Sequence, residues 1–96
     1  RFTGEAHRLN PRSMRMRSEF GVAADWPVEY SEIEPFYEQA EIVMTVAGPE
    51  ADGRAPRRRP YPLPPHPLSY ASRTLANGFE RLGMSFLPNA RATPSQ

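Results

Sequence analysis

The stretch Ser31-Glu32-Ile33-Glu34-Pro35-Phe36-Tyr37-Glu38-Gln39-Ala40-Glu41-Ile42-Val43-Met44-Thr45-Val46-Ala47-Gly48 carries the strongest structural signal in the chain. Ser31 and Glu34 have the spacing of a capping box, in which two side chains satisfy the orphan N–H groups of a helix start. Ile33, Phe36, Tyr37, Ala40, Val43, Met44 and Ala47 then recur at helical spacing. Pro35 falls near the first turn, where its missing N–H costs little. Glu32, Glu34 and Glu38 lie toward the positive end of the helix dipole. Gly48-Pro49 supplies a stop. The spacing predicts a helix over 32–47 with an apolar stripe inward, and with Glu34, Glu38 and Glu41 on a solvated outer face.

Outward from that helix, regular structure has little room. Twelve prolines occur in 96 residues, and proline interrupts both helices and central strands. Residues 1–30 read as an irregular crossing. Within it, Asn10-Pro11 has the form of an N-cap followed by proline at the first helical position. Arg12 to Arg17 extend that turn, and Gly21 ends it. Pro27 pushes Trp26 out of the helical region. Residues 49–67 form a linker: turn chemistry at Glu50-Ala51-Asp52-Gly53, a basic run from Arg54 to Arg59, then an extended proline-rich bridge from Pro60 to Pro67. Leu68, Ala71, Leu75, Phe79 and Leu82 predict a second helix over about 69–82, with Gly83 as its stop. Gly78 in its middle is a weak point or a place of close packing. Met84-Ser85-Phe86-Leu87 alternates before Pro88 and reads as a short strand. The expected fold class is thus an α+β fragment: two amphipathic helices, a proline-rich linker, one short strand and much irregular structure.

Composition narrows the chemistry. Hydrophobic residues are 39% of the chain, below the roughly 45–50% of ordinary domains. A core of its own would be thin. The chain opens on Arg1-Phe2-Thr3-Gly4 without an initiator Met, and an interior segment of a longer polypeptide is expected. Cysteine is absent, so disulfides, thiolate catalysis and Cys-ligated metals fall away. No apolar run is long enough to span a membrane. The formal charge is +1, and all 12 basic residues are arginine. Arg57-Arg58-Arg59 has no interleaved aromatic residue, which argues against a nucleic-acid surface. His7 and His66 stand 59 positions apart with no triad or metal spacing around them. No Gly-rich phosphate loop is present. No catalytic or metal-binding residue is assigned. Arg59-Pro60-Tyr61-Pro62-Leu63-Pro64-Pro65 fits the R-x-x-P-x-x-P pattern of SH3 ligands, so a small adaptor recruiting an SH3-like domain stands as the alternative to a stiff connector.

A more specific pattern runs from Phe20-Gly21 through Asp25-Trp26-Pro27-Val28-Glu29-Tyr30, Glu32-Ile33-Glu34-Pro35-Phe36-Tyr37 and Ala40-Glu41 to Val46-Ala47-Gly48. It resembles the glucose–methanol–choline (GMC) oxidoreductases, in particular their bacterial gluconate- or sugar-dehydrogenase-like branch with its D-W-P-x-x-Y-x-x-L-E-P-Y-Y-x-x-A-E pattern. Ile33 stands for the leucine and Phe36 for the first tyrosine. The opening Phe2-Thr3-Gly4-Glu5-Ala6-His7-Arg8 resembles the family's H-W-x-G-x-x-x-R stretch, with Arg1 in place of its common His. The Pro-Tyr-Pro-Leu-Pro-Pro-His-Pro bridge and the helix after it also look like that family.

The resemblance implies a parent flavoprotein that binds FAD on a Rossmann-type domain and oxidises an alcohol or sugar hydroxyl by hydride transfer to the flavin. It places Phe2, Thr3 and Gly4 near the isoalloxazine. It places the dinucleotide fingerprint and the catalytic base outside these residues. Residues 1–30 then cross from the FAD domain, 31–48 and 68–96 belong to the substrate domain, and 49–67 link them. Trp26 and Tyr30 are expected to anchor the crossing by packing.

Overall fold

The computed structural model describes residues 3–50 and 55–95. Phe2 and the turn at 51–53 lie outside the described residues.

The first local reading holds. Asn10 caps a short 3-10 helix, Pro11–Arg15, by accepting a hydrogen bond from the Arg12 N–H at 2.9 Å. The chain tightens into α1, Met16–Phe20, and ends at Gly21 with φ +69°. Only glycine adopts that left-handed conformation without steric cost.

The long helix α2 spans Tyr30–Met44, two residues earlier at its start and three earlier at its end than expected. Its reciprocal cap joins Glu29 and Glu32 rather than Ser31 and Glu34, and the Glu29 N–H donates to Glu32 Oε2 at 2.7 Å. The stop is Thr45, left-handed at φ +54°, whose N–H returns to the Glu41 carbonyl. Gly48 serves elsewhere: a Cβ there would sit 2.4 Å from Tyr61 Cδ2, so glycine is needed for the Tyr61 ring to lie on the backbone.

The burial of α2 also departs from expectation. Phe36, Val43 and Met44 are exposed, whereas Glu34 and Glu41 are buried at 5% and 4% exposure. The physical reason is the supply of partners. Three arginines from other segments meet those carboxylates, and a paired charge can be buried where an isolated one cannot.

The bridge from Pro60 to Pro67 forms no helix, as expected, and is laid onto the core. Tyr61 is buried at 6% exposure. The Leu63 N–H donates to the Val46 carbonyl at 3.2 Å, and the Gly48 N–H donates to the Leu63 carbonyl at 3.1 Å. Helix α3 covers Tyr70–Arg81, capped by the Ser69 hydroxyl and followed by Gly83 at φ +71°, in agreement with the sequence reading. Nothing lies within 4 Å of a Cβ placed on Gly78, so no close neighbour explains that glycine here. Residues 84–87 form no ladder. Phe86 instead stacks at a tilt on Phe79, ring centroids 5.5 Å apart.

β pairing appears as three single-residue bridges that run Leu63, Ala47, Arg91, Glu5. Ala47 and Arg91 exchange both hydrogen bonds, at 2.9 and 2.8 Å. Over this row lies the core cluster of Val46, Tyr61 and Ala90, with Ala6 and Ala92 packed against it. Four of those five side chains are small or single-branched, so the core is thin, as composition implied. Helices α2 and α3 share no substantial interface.

Candidate functional site

Arg8 organises one side of the molecule. Its side chain is 1% exposed. Nε and Nη2 donate to the two oxygens of Glu41 at 2.8 and 3.0 Å, the bidentate fork that suits guanidinium. Nη1 donates to Glu34 Oε1 at 3.0 Å and to the Tyr30 hydroxyl at 3.2 Å. The Tyr30 hydroxyl in turn donates a hydrogen bond to the Pro56 carbonyl at 2.7 Å. The Tyr37 ring lies under the guanidinium, 5.5 Å to its centroid. Tyr30, Glu34, Tyr37 and Glu41 fall at i, i+4, i+7 and i+11, one stripe of α2.

Two arginines of the linker close the cluster. Arg57 donates to both oxygens of Glu41 and stacks 3.5 Å from the Tyr61 ring centroid. Arg58 Nε donates to Glu34 Oε2 at 3.0 Å and lies 3.9 Å from Glu38 Oε1. Three arginines thus face three glutamates and the charge balances. Arg57 and Arg58, read from the sequence as part of a basic run in the linker, are the counter-charge of the helix.

The titration behaviour follows. Burial pushes the Glu34 carboxyl up, but hydrogen bonds from Arg8 and Arg58 outweigh it and hold the group at about 2. Glu41 is likewise raised by burial and lowered further by Arg8 and Arg57, ending below the ordinary carboxylate range. Burial works against the Arg8 charge, yet bonds to Glu41, Tyr30 and Glu34 raise its pKa overall. Groups locked in their charged forms are poor proton carriers near neutrality. The cluster is a structural clamp.

Apart from the clamp, an open cleft of about 410 Å³ joins residues 3–5, 66–72 and 88–91. Thr3, assigned by resemblance to the flavin margin, lines it together with Glu5. Gly4 turns between them at φ +73°, and its carbonyl accepts from the Ala92 N–H at 2.7 Å. The Thr3 carbonyl accepts from Arg91 Nη2 at 3.0 Å. His66 lines the cleft, with Nε2 3.0 Å from both the carbonyl and the hydroxyl of Thr93. His7 stands apart at the surface, 3.8 Å from Glu5. Sequence spacing missed this convergence, because its three stretches are separated by about sixty and twenty residues and meet through the Glu5–Arg91 bridge and the His66–Thr93 contact.

Trp26 and Tyr30 part company. Tyr30 anchors the Pro56 strand of the linker to α2, while the Trp26 ring is 47% exposed and only its backbone is pinned, by an N–H bond to the Met14 carbonyl at 2.8 Å. Among the described residues, no group of His, Asp or Glu side chains has the grouping of a metal site, and no helix is long and apolar enough to cross a membrane.

No family model matches the chain. The fructose dehydrogenase large subunit of Gluconobacter japonicus is similar to it, with 36% identity over 92 residues. That match takes in 93% of this chain and 17% of the subunit, so the chain spans about a sixth of its relative's length. The clamp residues Arg8, Tyr30, Glu34, Tyr37 and Glu41 all fall within the motifs that carry the sugar-dehydrogenase resemblance. The chain is therefore similar to one segment of that fructose dehydrogenase large subunit.

Proposed function

We propose that this chain is a segment of an FAD-dependent oxidoreductase of the GMC type, which oxidises the CH–OH group of an alcohol or sugar by hydride transfer to flavin. Its part is to lead from the flavin-binding domain into the substrate domain and to supply two helices there. The 36% identity to a sugar dehydrogenase subunit across nearly the whole chain carries this reading. The internal agreement of the motif supports it. Its Tyr30, Glu34, Tyr37 and Glu41 on α2 all reach Arg8, so these positions describe one physical unit.

The residues present fit a flavin in a limited way. FAD, when bound, supplies the hydride acceptor. Thr3 and Gly4 offer one edge for it, held rigidly by the Arg91 and Ala92 hydrogen bonds. The cleft at that edge is open and lined by both polar and apolar groups. Nothing among the described residues cradles a pyrophosphate, so other polypeptide must hold the rest of the cofactor. No general base is assigned within the chain. The clamp's role is to keep residues 3–8 in place against α2, so that this edge does not move during turnover.

Absorption spectroscopy of the full-length protein that carries this segment tests the reading. The purified protein should show visible flavin bands that bleach anaerobically on adding D-fructose or another alcohol. The 96-residue chain alone should remain colourless. A full-length protein without flavin, or one whose flavin no sugar or alcohol reduces, would sink the proposal. The proline bridge favours the connector over an SH3 ligand, because Tyr61 is buried and both backbone groups of Leu63 are bonded to the core.

A further inference from the structure

We propose that the cleft bounded by Thr3, Glu5, His66, Ser72, Asn89 and Arg91 binds a polyhydroxylated small molecule, and that His66 and Ser72 are its hydroxyl partners. The inference rests on the oxidoreductase reading and specifies where this segment touches the substrate. The volume of about 410 Å³ falls within the roughly 300–1,000 Å³ of small-ligand sites.

The hydrogen bonds already made determine which valences remain. His66 Nε2 is occupied by the carbonyl and the hydroxyl of Thr93, each at 3.0 Å, which leaves Nδ1 for a ligand, as donor or acceptor according to the tautomer. Ser69 Oγ accepts from the Ser72 N–H and donates to Ser72 Oγ. The Ser72 hydroxyl has therefore received its bond, and its own hydrogen is left to donate outward. Asn89 Nδ2 donates to Glu5 Oε1 at 3.0 Å, which orients the amide and leaves its oxygen as an acceptor. Arg91 spends one N–H on the Thr3 carbonyl and keeps others.

The result is a wall that carries both donors and acceptors, with one acidic and one basic side chain. An anion would use the donors but meet Glu5. A cation would use the acceptors but meet Arg91. A neutral hydroxyl donates and accepts at once, so several hydroxyls on one frame match the wall. Pro67, Leu68 and Pro88 give the same cleft an apolar surface for the C–H face of such a ligand.

Steady-state kinetics of the full-length holoenzyme with D-fructose tests the assignment. Ser72→Ala puts the best helix former into α3 and leaves folding intact. His66→Phe keeps a ring without its nitrogens. Each is expected to raise KM about tenfold, the loss of one hydrogen bond, with kcat within about twofold and the flavin spectrum unchanged. An unchanged KM in both variants overturns the assignment, and so does a fall in kcat with KM unaltered. If the full-length protein holds no flavin, the oxidoreductase reading fails separately. Calorimetric titration with D-fructose then decides the cleft: weaker binding in Ser72→Ala supports it, and equal heats or no binding by the wild type overturn it.

Discussion

Helices α2 and α3 look alike as strings of residues, each with apolar positions at helical spacing and charged residues between them. In the fold they behave as opposites. Helix α2 turns its acidic stripe inward and leaves Phe36, Ile42, Val43 and Met44 facing out. Helix α3 buries no residue, and Tyr70 and Leu75 are exposed. The difference lies in what the rest of the chain brings to each. Arg8, Arg57 and Arg58 arrive on one face of α2 and turn its carboxylates into the better-satisfied side. Nothing comparable reaches α3, which touches the remainder through Phe79 on Phe86 and through its capped start beside the cleft. An amphipathic pattern tells which faces differ. It does not tell which one is buried when ionic partners are available.

The comparison breaks most sharply at Arg8. Arg8→Met removes the shared donor of Glu34, Glu41 and Tyr30 and leaves buried carboxylates short of counter-charge. A loss of about 3–5 kcal/mol is expected, read by guanidinium denaturation of the protein carrying this segment. A change below 1 kcal/mol would show that the clamp is solvated and that α2 and α3 are alike after all. Exposed pairs such as Arg12–Glu19 are worth about 0–1 kcal/mol, so Arg12→Ala serves as the contrast.

Acid tests the same clamp without mutation. Glu34 falls from its ordinary 4.5 to about 2 in the folded chain, and Glu41 is also lowered. Depressed carboxyls contribute stability that is present above their unfolded pKa and is lost as pH falls through the folded value. Stability should therefore decline between about pH 4.5 and pH 2, and Glu34→Gln should flatten that decline. Equal slopes for wild type and variant in pH-dependent melts would remove Glu34 from the account.

A smaller effect is expected where the proline bridge presses on the end of α2. Gly48→Ala forces a methyl into the Tyr61 ring and should cost about 1–3 kcal/mol, the usual range for overpacking. The smallest effect belongs to α3 and has the opposite sign. Gly78→Ala meets no atom within 4 Å and should add about 1 kcal/mol of stability from helix propensity. A destabilised Gly78→Ala in the full-length protein would reveal another segment packed against that face.

Much of the local structure was legible in advance, and the reasons are local. Asn10 before Pro11, Ser69 before Tyr70, and the glycines at 21 and 83 act within one turn of their own position, so the short helix and α3 appeared where their punctuation placed them. The start of α2 was misplaced by two residues, because Glu29-Glu32 and Ser31-Glu34 have the same capping spacing two residues apart. Choosing the earlier one sets Tyr30, Glu34, Tyr37 and Glu41 toward Arg8, and that gain is invisible without the third dimension. The cleft shows the same limit. Thr3 could be named from resemblance, but His66 and Ser72 join it only because Glu5 pairs with Arg91 and His66 with Thr93.

By itself, then, the sequence determined the helices, the glycine stops of the short helix and of α3, the stiff bridge and a core of few large side chains. Capping, backbone restriction and composition act over a handful of residues and need no partner. Only the tertiary structure decided that two glutamates lie inside and several apolar residues outside, and that three distant stretches share one cleft. Those outcomes depend on desolvation weighed against ion pairing, and that balance is set by groups from remote parts of the chain meeting at hydrogen-bond distance.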